Sequence, residues 1–203
     1  MVFLSREHLL GMIKSHALVI EPFDEKLLYE GYIELKLGNK FTALMSESKG
    51  YLDPEDRRTP LKQREMLETE PPITSRQKYN IVKVEDGEKF IVDPHEYILG
   101  TTKEFVAMPE GYIGILHGKS SLGRLGVQIF CSGGYVDPKF KGNLILEIFN
   151  ANRVPVALHP GIPVVKLSVQ PLSKKPAVRE PEKEEEEEEE TLDKWAEGKI
   201  GKD

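Results

Sequence analysis

Cysteine is almost absent from this chain of 203 residues: Cys131 stands alone. No disulfide can therefore close within one molecule, and no zinc site built on cysteines can be assembled from one copy. Long apolar runs are missing as well. Nothing approaches the roughly 20 consecutive apolar residues of a membrane-crossing helix. The stretch Met1 to Leu10 sets Arg6 and Glu7 inside its apolar segment, where a secretion signal would carry an uninterrupted apolar core. The expectation is a cytoplasmic protein with no membrane association. An excess of basic charge is also absent. The formal net charge is −6, and residues 174–203 hold 12 acidic and 7 basic side chains, leaving 22 and 21 for residues 1–173. A near-neutral body lacks the basic stripe that holds long nucleic acid, but it is compatible with a small anion that needs only local cations.

What is present falls into two parts. Apolar residues at 39% and charged residues at 31% suit a soluble domain, and residues 1–173 are enough for one core. Beyond them, Lys174, Lys175, Pro176 and Pro181 lead into an unbroken glutamate run, Glu184 to Glu190. Like charges four apart repel on a helix, so residues 174–203 read as an acidic, flexible tail. The other reading is an arm that docks through Leu192 and Trp195 on a neighbour.

Within the body, Ser5 is placed to cap a short helix whose Leu9, Leu10, Met12 and Ile13 share one face, and Pro22 limits its extent. Ile33 to Leu37 alternates apolar and polar residues as a half-buried strand does, and Gly38-Asn39 signals a turn after it. The polar segment Asp53 to Gln77 contains Pro54, Pro60, Pro71 and Pro72 and reads as a long loop. From Ile81 onward short apolar runs recur between turn residues. They are Ile81–Val84, Phe90–Val92, Tyr97–Leu99, Tyr112–Leu116, Val127–Cys131, Leu144–Phe149, Val154–Leu158 and Val164–Val169. Such spacing predicts an all-β sandwich, jelly roll or barrel, with no βαβ alternation and no internal repeat.

Three blocks concentrate chemistry. Lys119-Ser120-Ser121-Leu122-Gly123-Arg124 joins cations to hydroxyls; Asp137-Pro138-Lys139-Phe140-Lys141-Gly142 exposes a carboxylate at a turn; Leu146-Glu147-Ile148-Phe149-Asn150 sets a carboxylate in an apolar strand. The serines and adjoining N–H groups suit phosphate oxygens, and turn formation is the plainer reading. Arg124 offers a fixed fork of donors, or simple surface solvation. On alternation Glu147 shares a face with Ile145 and Phe149. A carboxylate in such surroundings costs several kcal/mol unless paired, so it is either functional or half of an ion pair, with Arg124 a candidate partner. Gly133 and Gly134 allow a flat ring to approach the main chain closely.

These blocks, in this order and spacing, resemble the dCTP deaminases and their relatives the dUTPases. The family pattern runs Gly-Arg-Ser-Ser-x-(Ala/Gly)-Arg, then Ile-Asp-Pro-Gly-(Trp/Phe)-x-Gly, then Leu-Glu-hydrophobic-hydrophobic-Asn. Pro94 to Pro109 and His159-Pro160-Gly161 extend the likeness, and Glu34-Leu35-Lys36-Leu37-Gly38 is similar more loosely. The resemblance implies a distorted jelly roll, the dUTPase-like β-clip, with a short N-terminal helix, spanning residues 1–173 as the nucleotide-binding domain. It implies a homotrimer with active sites between subunits. The implied ligand is dCTP, with dUTP as an alternative, and Mg2+ carried by the triphosphate; no zinc and no protein metal site are implied.

By resemblance, nucleotide binding falls to Lys119, Ser120, Ser121, Leu122, Gly123, Arg124, Gly133, Asp137, Ile145, Leu146 and Glu147. Catalysis falls to Glu147 as general base, Arg124 orienting the reacting centre and Ser120 positioning water, with Asp137 at the deoxyribose. The expected reaction is dCTP and water giving dUTP and ammonia. The alternatives are a bifunctional deaminase and dUTPase, or a plain dUTPase, giving dUMP and pyrophosphate, and a nucleotide-binding protein without turnover. The chain departs from the pattern at Lys119, where arginine is usual, at Phe130, where histidine is common, and at Lys166, where several relatives carry glutamine. The family's Tyr- and Gln-bearing C-terminal segment is not recognisable.

Overall fold

Ser5 starts the fold as the alternation suggests. Its hydroxyl accepts the His8 N–H at 3.2 Å, capping α1 (Arg6–Lys14), which turns Leu9 and Met12 inward. The computed structural model describes residues 3–45, 78–85, 87–130 and 134–173. The expected loop Asp53–Gln77, the acidic tail 174–203, Cys131 and Gly133 lie outside the described residues.

The strands are β1 (Val19–Glu21), β2 (Leu28–Tyr29), β3 (Tyr32–Met45), β4 (Lys78–Lys83), β5 (Phe90–Val92), β6 (Tyr97–Ala107), β7 (Tyr112–Gly118), β8 (Val127–Phe130), β9 (Tyr135–Val136), β10 (Lys141–Asn150), β11 (Val156–Leu158) and β12 (Pro163–Pro171). A single helical turn, α2 (Ser120–Gly123), joins β7 to β8. The pairings are antiparallel, and the principal sheet runs β8-β10-β6-β3-β12-β7-β9, with β5 and β11 forming a separate ribbon. The fold is thus all-β with few helices. Every strand expected from the apolar runs is present.

β3 makes the architecture. Its first half pairs with β12, through Leu35 and Val165, and its second half pairs with β6, through Phe41 and Gly100. The turn expected at Gly38-Asn39 does not form. The strand runs on, with a register shift between Leu37 and Phe41, because Gly38 serves a close approach instead: a Cβ there would meet Thr101 Oγ1 at 2.7 Å and Thr101 O at 3.0 Å. Alternation then decides the inside. Leu35, Leu37, Phe41, Ile98, Leu146, Ile148 and Leu167 are fully buried, and Phe41 stacks on Phe90 with ring centroids 4.5 Å apart. Each such side chain contributes about 1.5–3 kcal/mol of transfer free energy.

Candidate functional site

Glu147 stands where period-two geometry sends it. In β10, Leu146, Ile148 and Asn150 turn into the core, while Ile145, Glu147 and Phe149 occupy the opposite, half-buried face. A distortion just before this stretch sets its register. The ladder with β6 shifts between Asn143 and Ile145, and the Leu144 N–H is taken by Thr102 Oγ1 at 2.9 Å. Thr102 in turn donates to Glu104 O at 2.8 Å, so one hydroxyl repairs the interrupted ladder. Across the strands Glu147 is opposite Leu99 on β6 and Phe130 on β8. Tyr97, opposite Phe149, shares the face of Glu147; burial first and the Glu147 charge second push its phenol above the ordinary range.

The serine block forms α2. Leu122 is buried and anchors the turn, whereas Ser120, Ser121, Gly123 and Arg124 are exposed. The N–H groups of Leu122 and Gly123 already bond Lys119 O, each at 3.1 Å, and that of Arg124 bonds Ser120 O at 3.0 Å. Leu122 and Leu146 both point inward, so only their main chain can face a ligand. Lys119 does not extend into solvent: its Nζ donates to Glu34 Oε2 at 2.6 Å.

Asp137 opens a turn in which the Phe140 N–H bonds Asp137 O at 3.2 Å, with Pro138 next and Lys139 at φ +67°. Its carboxylate is exposed. The strand that delivers it, β9, lies against β7 through the pair Gly114 and Val136. A Cβ at Gly114 would sit 2.8 Å from Leu167 Cδ1 and 2.9 Å from Val136 Cβ, so only glycine lets the strands approach this closely. Gly134 holds the same corner by accepting the Leu116 N–H at 2.8 Å.

Strand register fixes part of the spacing between these groups. Residue Val127, just after α2, pairs with Asn150, whereas Glu147 pairs with Phe130 at the other end of β8. Three residues of strand separate them, ~10 Å at the usual rise. Among the described residues no group of three or more His, Cys, Asp or Glu side chains is placed to hold a metal ion, and no helix is long and apolar enough to cross a membrane.

Reading the chain alone misses two participants. Asn150, the last residue of the third block, is a knot: its Nδ2 donates to the carbonyls of Val92, Asp93 and Val154 at 3.0, 3.1 and 3.0 Å, and its Oδ1 accepts the Asn152 N–H at 2.9 Å. Only its position at the end of an apolar strand hinted at this. Glu34 looks like the polar half of a strand alternation, and nothing in its neighbourhood announces Lys119, 85 residues away.

A family model described as dCTP deaminase-like matches residues 3–172. The chain is 36% identical over 174 residues to a dUMP-forming dCTP deaminase of Dictyoglomus thermophilum, covering 85% of this chain and 81% of the relative. It is 36% identical over 159 residues to a protein of the same name from Coprothermobacter proteolyticus, covering 78% and 76%. Among solved structures, the 2′-deoxycytidine 5′-triphosphate deaminase of Agrobacterium tumefaciens superposes with a TM-score of 0.61 at 16% identity; the match covers 83% of this chain and 48% of that one. The expectation that dUTP is the end product is overturned by the relatives' names, which specify dUMP. The relatives' names agree instead with the alternative of a bifunctional deaminase and dUTPase giving dUMP.

Proposed function

The chain belongs to the dCTP deaminase-like family, and from that premise we propose that it converts dCTP to dUMP, releasing ammonia and pyrophosphate. The observation that carries this reading is Glu147, a carboxylate on the half-buried face of β10, between Ile145 and Phe149 in the otherwise apolar stretch Leu144–Phe149. A half-buried carboxylate within reach of a bound water can serve as its general base. Glu147 takes a proton from water as the oxygen bonds to C4 of the cytosine. It then returns a proton to the exocyclic nitrogen, the C4–N bond breaks and ammonia leaves, and the C4 hydroxyl proton passes to N3, giving a uracil ring.

Arg124 supplies a permanently charged fork that orients the reacting centre, and Ser120 and Ser121 supply hydroxyls to water and phosphate. Asp137 positions the deoxyribose and a second water, whose attack at the α-phosphorus breaks the bond to the pyrophosphate leaving group. Gly133, Gly134, Ile145 and the main chain of Leu122, Gly123 and Leu146 border the nucleotide. Magnesium enters with the triphosphate, bound by phosphate oxygens and water. The exposure of Ser120, Ser121, Arg124 and Asp137 supports a homotrimer with sites completed between subunits. Residues 1–173 constitute the catalytic body, and the protein works in the cytoplasm on free nucleotides.

The test is a product balance. Incubated with dCTP and Mg2+, the protein should yield dUMP, ammonium and pyrophosphate in equal amounts, with no build-up of dUTP. Consumption of dCTP without ammonium, or no consumption at all, would overturn the reading.

A further inference from the structure

The serine block is tied down by a second acid. Glu34 on β3 is 8% exposed and accepts Lys119 Nζ at 2.6 Å. Strand register explains how residues so distant in sequence meet. β12 lies between β3 and β7, and its Lys166 is opposite both Glu34 and His117. Glu34, Lys166 and His117 therefore form one row whose side chains leave the same face of the sheet. Lys119 follows His117 by two residues, just past the end of β7, with extended backbone at φ −89° and ψ 130° and no capping bond from its side chain. Its stem reaches back along the row to Glu34. Lys166, the cation directly opposite the acid, lies instead with its Nζ 4.5 Å from the centre of the Tyr32 ring.

The pair is shielded, with side-chain exposures of 19% for Lys119 and 9% for Glu34. In such surroundings opposite charges interact more strongly than on an open surface, and withdrawing the ammonium strands a buried carboxylate. A triphosphate would have to compete for this lysine against an acid already in contact with it. We infer that Glu34 is a positioning residue: through Lys119 it fixes the entry into the Ser120–Gly123 turn, and Lys119 anchors that turn instead of gripping phosphate. This reassigns Lys119 from the nucleotide-binding set that the sequence resemblance implies. It also explains a lysine where the pattern has arginine, since one carboxylate oxygen satisfies a single-point donor without a bidentate fork. The inference rests on the proposed dCTP reaction.

Calorimetry with dCTP and with dCMP, in a Glu147→Gln background that blocks turnover, separates anchoring from phosphate contact. Lys119→Met and Glu34→Gln are expected to weaken both nucleotides by the same factor, within about threefold. With Glu147 intact, each is expected to lower kcat by tenfold or more, up to about a hundredfold, through displacement of the serine turn. The double variant should be no worse than the worse single one, because both act through one pair. A loss of about tenfold or more for dCTP with dCMP unchanged in Lys119→Met, the signature of a lost charged phosphate contact, overturns the inference. So does tighter dCTP binding in Glu34→Gln, where the freed ammonium would reach the ligand. Should those variants fail to fold, Lys119→Arg preserves the pair: its preference for dCTP over dCMP should stay within about threefold of the parent, and a tenfold rise overturns the inference. A parent that binds neither nucleotide would remove the proposed reaction, and the inference with it.

Discussion

Asn150→Ala removes one fully buried amide and exposes the design of β10. The side chain donates to three carbonyls, those of Val92, Asp93 and Val154, and accepts the Asn152 N–H, while the main-chain bonds to His95 N and Glu96 O, at 2.8 and 3.0 Å, remain. Two amide protons serve three acceptors, so the loss amounts to two full donor bonds and one acceptor bond. At about 1 kcal/mol net for each, the variant should lose about 3 kcal/mol, a large part of the roughly 5–15 kcal/mol that holds a domain folded. Urea unfolding at fixed protein concentration, which guards against any dependence on association, measures it. The midpoint should fall with the slope unchanged. Asn150→Asp keeps the shape but sets an oxygen against those carbonyls, and should cost at least as much. An alanine variant losing less than about 1 kcal/mol, or an aspartate variant as stable as the parent, would refute the reasoning.

Three further outcomes follow from particular contacts. Gly38→Ala should lose about 1–3 kcal/mol, since its Cβ would press on Thr101 Oγ1 at 2.7 Å and on a carbonyl that cannot rotate away; an unchanged unfolding midpoint would contradict the crossing of β3 described here. Lys139→Gly should raise the melting temperature by about 2–4 °C. It relieves a left-handed residue at φ +67° for a net gain of about 1 kcal/mol, and the surface pair with Glu110 at 3.2 Å contributes little; a lower melting temperature would count against it. Glu104, 2% exposed, accepts the Lys36 N–H at 2.8 Å, yet burial holds its carboxyl above the ordinary range. Between its unfolded and folded pKa the folded chain binds more protons than the unfolded one, so this group's stabilisation is greatest in acid and declines as pH rises through that window. Glu104→Gln should remove that decline and flatten the stability curve above about pH 4.5; an identical pH profile would show that Glu104 is not its source.

Much of this was legible because alternation is a local code. Leu144 to Phe149 announces both the strand and the face on which Glu147 stands, and Ser5 with Leu9 and Met12 announces the first helix. β6 was legible only in part, because Gly100, Thr101, Thr102, Lys103 and Glu104 continue the strand with polar residues that serve the crossing of β3 and the distortion in β10. The same holds for Gly38: a glycine demanded by a close approach and one demanded by a turn look alike until the neighbouring strand is in place. The Lys119–Glu34 pair was not legible because Glu34 is brought near only by the order β3-β12-β7. Long-range pairs of this kind depend on topology, which single-strand patterns do not encode.

Ammonium release by the Glu147→Gln protein saturated with dCTP is the most direct measurement. A fall of at least about a hundredfold is expected, the lower bound for losing a general base, with dCTP still bound within about tenfold of the parent affinity. Ammonium released at the parental rate would contradict it.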